Sequence, residues 1–368
     1  MKIIYNILAI LSMLLVSCSE DRILPDTNYQ DDGTVKVYFK TGSEATTRTN
    51  LISSDNRQHA KYVHLYVFNN AGDCVQSTNI NWAQPIGVTA EQSYSLKGLV
   101  KGQKYTLLAV GIDENPTDGK TTYGLPHAIQ KNVTTLTGLM ATLADGKTKE
   151  DIARSELFSG WIEVTAGTTA AVTINLYRRM AGVLVYIKSI PENIATIQIK
   201  LYKNQYKNVP LKKLAKDNIY DAADHGDTEL ADSRVLMSIP VNDATKNSLT
   251  VEDGHGGSIA KQDGTILQGA FVLPIEASEQ STTCTLTLET LDVSGAVLKT
   301  YNVKVQKTTE DDGTTVDQIM TNYPIYANHF YSIGKKNATI DEPIPLGEDI
   351  VIRVDPMWEG ISDDIPLE

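Results

Sequence analysis

Short runs of alternating apolar and polar residues, cut by Gly, Asn, Asp and Pro, dominate this chain from Thr34 onward. Val35, Val37 and Phe39 alternate with Lys36, Tyr38 and Lys40. Tyr62 to Phe68 (YVHLYVF) closes in the turn Asn69-Asn70-Ala71-Gly72-Asp73 and resumes at Cys74-Val75. Lys104 to Gly111 (KYTLLAVG) follows Lys101-Gly102-Gln103, and Ala171 to Tyr177 (AVTINLY) repeats the style. Side chains of a strand alternate between its faces, so period-two runs rich in Val, Ile, Thr and Tyr predict an all-β chain of sandwich type.

The second half has the same texture. Ala181 to Ile187 (AGVLVYI) is nearly continuous in apolar residues, as a central strand requires. Ile197, Ile199 and Leu201 alternate with Gln198 and Lys200. Gly269 to Leu273, the Cys284-Leu286-Leu288 alternation and Val297 to Val305 come next, with a hairpin-like turn at Glu310-Asp311-Asp312-Gly313. Only Gly146 to Phe158 reads as helical, and it is short. A chain of this length exceeds one typical core, so two tandem β-sandwich domains are expected, meeting near Arg178-Arg179.

The first residues carry an address. Met1-Lys2 is a positive start and Ile3 to Val16 is mostly apolar, shorter than the roughly 20 residues of a membrane-spanning helix. Leu15-Val16-Ser17-Cys18 resembles a bacterial lipobox, which implies removal of residues 1–17 and lipid on Cys18. One acyl chain holds a protein marginally, at about 0.8 kcal/mol per buried CH₂, whereas two or three anchor it durably. Ser19, Glu20 and Asp21 resemble the acidic surface-export signal of Bacteroidetes lipoproteins, which implies an outer-membrane, surface-exposed chain. Residues 18–32 read as a polar tether, 33–178 as the amino-terminal sandwich and 179–368 as the carboxy-terminal one.

Charge and composition exclude several classes. The formal net charge of −12 becomes −13 when Lys2 leaves, which argues against nucleic acid and against basic docking on anionic lipid. Of the six histidines none is paired at i, i+4, and no cysteine pair has metal spacing, so no metal site or cofactor is expected. Cys74 and Cys284 read as separate apolar thiols, not a disulfide. Asp253-Gly254-His255-Gly256-Gly257 lacks the Lys-Ser/Thr of a phosphate loop, and there is no Gly-x-Ser-x-Gly elbow. Asp113-Glu114-Asn115 with Asp118 reads as solvated turn residues in preference to calcium ligands. Trp82, Trp161 and Trp358 are scattered and read as core residues in preference to a sugar-binding platform. Nothing here supports catalysis.

Taken in order, these features resemble the fimbrillins and fimbrial-anchor lipoproteins of Bacteroidales, which build type V pili. The likeness runs through the lipobox, Thr47-Arg48-Thr49 and Val67-Phe68-Asn69-Asn70-Ala71-Gly72. It continues through the Gly-Gln-Lys-Tyr-Thr-Leu-Leu-Ala segment at 102–109 and Leu176-Tyr177-Arg178-Arg179-Met180-Ala181-Gly182, to Asn328-His329-Phe330-Tyr331-Ser332-Ile333-Gly334. The resemblance implies two transthyretin-like sandwiches and assembly by strand donation. An arginine-specific protease cuts in the first loop, the first strand leaves, and another subunit's carboxy-terminal strand takes its place. Here Arg48 fits the cut, with Arg57 as a second candidate. The departing strand carries Val35, Val37 and Phe39, and the donor candidate carries Ile350, Ile352 and Val354. The implied partners are other fimbrial subunits and the outer membrane through Cys18, with host or bacterial surface ligands left open. The expected role is a structural, non-enzymatic subunit of a surface fimbria. A non-polymerising anchor and a surface glycan-binding lipoprotein are the alternatives, and a hydrolase has no supporting carboxylate spacing.

Overall fold

The computed structural model describes residues 33–41, 60–81, 91–115, 121–125, 139–212, 228–252, 258–311, 314–336, 341–347, 350–352 and 354–355. The first half contains β1 (Val35–Thr41), β2 (Tyr62–Asn69), β3 (Cys74–Asn81), β4 (Glu91–Leu96) and β5 (Lys104–Ile112). After these come the short β6 (Tyr123–Gly124) and β7 (Met140–Leu143), helix α1 (Lys149–Ile152), β8 (Leu157–Thr165) and β9 (Ala171–Arg178). Seven strands form one sheet in the order β3-β2-β5-β8-β9-β1-β4. Pairing between β8 and β9 is confined to Phe158↔Arg178 and Ser159↔Tyr177, and the sheet turns there. Gly160 allows the turn, because a Cβ at this position would sit 1.9 Å from the Asn175 carbonyl oxygen. The two parts of the sheet close over a core that includes Val63, Leu65, Leu107, Ala109, Ile174 and Leu176.

The second half is a sandwich of two sheets. One has the order β16-β10-β20-β25, with β10 (Ala181–Lys188), β16 (Ile266–Val272), β20 (Phe330–Ile333) and β25 (Val354–Asp355). The other has the order β13-β11-β17-β18-β19, with β11 (Thr196–Leu201), β13 (Val235–Pro240), β17 (Leu286–Leu291), β18 (Val297–Asp311) and β19 (Thr314–Met320). Beside these lie β12 (Asn208–Pro210), the pairs β14 (Thr250–Glu252) with β15 (Ser258–Ala260) and β21 (Lys335–Lys336) with β22 (Asp341–Glu342), and β23 (Ile344–Pro345). Finally β24 (Ile350–Ile352) pairs with β18, and a second short helix, α2, spans Asp243–Asn247. Ile197, Ile199, Leu286 and Leu288 meet Val183, Val185, Ala270 and Ile333 in this core.

A third apolar cluster joins the halves. Tyr66, Phe68, Leu108, Val110 and Ile112 on the far faces of β2 and β5 pack with Leu184, Tyr186, Leu267, Phe271 and Phe330. β12 completes a three-stranded sheet with β7 and β6, so the backbone also crosses the seam. β5 and β10 are consequently buried on both faces, which is why LLAVGI and AGVLVYI are continuous apolar runs.

The seam holds two buried guanidinium groups and a buried carboxylate, Glu156. Arg178 and Arg179 are both wholly buried. Arg178 Nε donates to Glu156 Oε1 at 2.9 Å, its Nη2 bonds the same carboxylate, and the guanidinium lies over Phe158 at 5.2 Å and Phe271 at 5.8 Å. Arg179 donates to the Ser159 hydroxyl and, at 3.2 Å, to its carbonyl, while Ser159 Oγ donates to the Leu211 carbonyl at 2.7 Å. Buried guanidinium groups survive only when paired in this way.

Candidate assembly site

β1 is an inner strand, not an edge. On one side it runs antiparallel to β4, from Val35↔Leu96 to Lys40↔Glu91. On the other it runs parallel to β9, from Lys36↔Ala171 to Thr41↔Leu176. The alternation of its sequence dictates the rest: Val35, Val37 and Phe39 are each 0% exposed and belong to the amino-terminal core, while Lys36 and Lys40 face solvent. Gly33 leads into the strand with φ of 73°, and a Cβ there would lie 2.3 Å from the Leu99 carbonyl oxygen. The Lys36 amide adds a 2.9 Å bond to the Ala170 carbonyl. Burial of three such side chains supplies roughly 5–9 kcal/mol gross, at about 1.5–3 kcal/mol each. Taking β1 out would therefore leave an apolar slot walled by unpaired backbone of β4 and β9.

The last strands are held differently. Val303↔Ile350, Lys304↔Val351 and Val305↔Ile352 pair in parallel, and Tyr331↔Val354 and Phe330↔Asp355 pair antiparallel on the opposite sheet. Ile350 and Ile352 are buried in the carboxy-terminal core and Val354 is half-buried against it, while Val351 faces out. This segment is thus seated by side chains with short ladders on either sheet, in contrast to β1. Tyr331 beneath it accepts the Tyr326 amide and donates to the Pro324 carbonyl, both at 3.0 Å; burial pushes its phenol well up, so it stays a neutral donor.

Val35, Val37 and Phe39 lie in the first core and Ile350 and Ile352 in the second, so one molecule does not bring the two triplets together. Cys18, Ser19, Glu20, Asp21 and Arg48 lie outside the described residues, as do Arg57, Trp82, Asp118 and Trp358. Among the described residues no helix is long and apolar enough to cross a membrane, and no group of three His, Cys, Asp or Glu is placed to hold a metal ion. Trp161 is half-buried against the shared core with Lys212 Nζ 4.7 Å above its ring, and so offers no free platform. Cys74 is buried and Cys284 half-buried, each a free thiol. The buried Arg178–Glu156 pair is the element that pattern reading missed; Arg-Arg between two apolar strands was its one signal.

Fold and core together define an all-β protein of sandwich type whose first described strand, β1, is paired on both sides and lodged in the amino-terminal core. The chain belongs to the family of fimbrillin-A associated anchor proteins Mfa1 and Mfa2, whose model matches residues 25–278. Among solved structures, it is similar to the tip fimbrial protein Mfa3 from Porphyromonas gingivalis with C-terminal truncation, at 10% identity and TM-score 0.44, over 84% of this chain and 97% of that one. It is also similar to the fimbrial anchor protein Mfa2 from the same organism, at 15% identity and TM-score 0.37, over 80% and 99%. A fimbrial assembly protein from Parabacteroides distasonis is 13% identical, with TM-score 0.37, over 84% and 92%. At such identities and scores these likenesses assign no function. No curated protein matches the chain.

Proposed function

We propose that this chain is a structural subunit of a surface fimbria, exported as a lipoprotein through Cys18 and assembled by exchange of strands. The observation that carries the reading is the position of β1: the first strand among the described residues, hydrogen-bonded on both sides and lodged by Val35, Val37 and Phe39. Cleavage after Arg48 would free that strand from the chain that follows it. The vacated slot between β4 and β9 then accepts a strand with the same alternation, and Ile350, Ile352 and Val354 of another copy or another subunit present one. The short ladders of β24 and β25 support a donor role, because fewer backbone bonds must be given up. Membership of an anchor-protein family supports a second arrangement. There the lipid and β1 are both kept and only the carboxy-terminal segment is donated.

The test is the amino-terminal mass and lipid state of protein recovered from sheared surface fibres and from outer membrane. Fibre material starting at Thr49, with acylated Cys18 confined to the membrane pool, is the expected result for a processed subunit. Acylated Cys18 on fibre-associated protein identifies the anchor arrangement. Intact lipoprotein with no fibre association refutes both and favours a surface binding protein.

A further inference from the structure

At the seam, away from the β1 slot, the chain leaves β5 at Ile112 and enters a cleft of about 490 Å³ lined by Asp113, Glu114, Thr122 and Ser155, with Lys61 and Arg154. Asp113 is not the solvated turn residue expected from its motif, and Glu114 is half-buried. β5 is buried on both faces, and its burial continues into the next residue: Asp113 is only 6% exposed.

The floor of the cleft gathers carboxyl groups. Asp113 and Glu114 line it, and Glu156 lies close to Asp113 with Arg178 as its buried cation. Glu156 is committed to Arg178, and Glu114 accepts the Thr122 amide and, at 3.0 Å, the Thr122 hydroxyl. Asp113 Oδ1 has no hydrogen-bond partner among the described residues, and neither has the hydroxyl of the neighbouring buried Tyr123. Burial, with Glu156 and Glu114 adding to it, holds the Asp113 carboxyl well above the usual carboxylate range. The Glu156 and Asp113 amides serve the carboxyl but leave Oδ1 unpartnered, and a ligand cation there would relieve the cost of ionising it.

The mouth has the opposite character. Lys61 and Arg154 are exposed and make no ion pair among the described residues. Glu150 and Asp151 on the rim are already matched, by Lys149 at 3.7 Å and Lys147 at 3.1 Å. The cleft is therefore polarised in its groups, with carboxyls inside and the cations Lys61 and Arg154 at the mouth. Its described lining has no aromatic face for a sugar ring, and no metal-holding trio exists among the described residues. The volume falls within the roughly 300–1,000 Å³ of small-molecule sites.

We propose that this cleft binds a free α-amino acid, its ammonium group against Asp113 at the floor and its carboxylate toward Arg154 and Lys61 at the mouth. The site is independent of strand exchange, since β1 contributes nothing to it. The experiment is a thermal-shift screen of the full mature chain against the common L-α-amino acids, followed by calorimetry on the strongest binder. Its N-acetyl and carboxamide analogues are then titrated, each lacking one charge. One-to-one binding is expected, weakened by about tenfold or more in either analogue and in Asp113→Asn and Arg154→Ala. Asp113→Asn keeps the side chain's shape and removes a carboxyl whose ionisation burial opposes, so the fold is retained; Arg154 is exposed, so its variant tests the site even if Asp113→Asn fails to fold. The proposal is overturned if no amino acid binds, if the N-acetyl analogue binds as well as its parent, or if the folded variants bind like wild type. Such a failure would leave the fimbrial reading standing, because that reading rests on β1.

Discussion

Replacing Phe39 by alanine tests whether β1 is a separable part of the fold. Phe39 is 0% exposed and is the largest of the three side chains that lodge the strand. A buried Phe→Ala change costs about 3–5 kcal/mol through lost transfer energy and the cavity left behind. That is roughly half of the 5–9 kcal/mol that the three side chains supply together. Since about 1.4 kcal/mol is a factor of ten, opening of the slot should become roughly 10²- to 10⁴-fold more frequent. Hydrogen–deuterium exchange reads this directly. The amides of β1 and those of β9 that face it, from Ala171 to Leu176, should exchange faster by that factor, while β10 and β11 keep wild-type rates. Equal acceleration across both halves would refute the reasoning, because the slot would then open only with the whole molecule. No acceleration anywhere would show that Phe39 does not hold the strand.

The seam supplies further predictions. Glu156→Gln leaves the wholly buried Arg178 without its counter-charge and is expected to cost about 3–5 kcal/mol in denaturant unfolding, whereas Glu156→Leu with Arg178→Met should cost far less. Brief trypsin digestion of the native chain should spare Arg178 and Arg179 despite their dibasic sequence, and a fragment beginning at Met180 from folded protein would contradict their burial. At Glu276 burial raises the carboxyl, but hydrogen bonds from Lys203 at 2.6 Å and Tyr206 at 2.7 Å outweigh it and hold the pKa below its usual value. A depressed folded pKa gives stability that is present above the unfolded value and lost as pH falls through the folded one. Glu276→Gln should therefore flatten the melting-temperature profile below about pH 4–5, where an unpaired glutamate titrates.

Much of this was legible in the residues, and the limits were physical. Alternation at Val35, Val37 and Phe39 correctly gave a strand with one buried face, since the period-two rule depends only on local geometry. It could not say that β1 lies parallel to β9, because pairing is decided by residues far along the chain. The unbroken runs in β5 and β10 did announce burial on both faces, and from them the burial of Asp113 could have been foreseen. Arg178 and Arg179 were opaque: charge predicts exposure unless the partner is known, and Glu156 lies 22 residues away. Helix α2 went unread although Asn242 caps it, accepting the Thr245 amide at 2.9 Å, because five residues are too few to show a helical period.

The parallel pairing of β1 with β9 also sets an order of events. Lys36 lies beside Ala171, about 135 residues later, so the first strand to be synthesised has no complete berth until nearly half of the chain has been made. Contacts that span so much chain form slowly, because a long loop must be closed before any apolar surface is covered. Until then Val35, Val37 and Phe39 are incompletely covered, and the β1 edge that β9 will occupy can take any strand of the right pattern. A single copy is therefore most open to pairing with the wrong strand before β9 has docked.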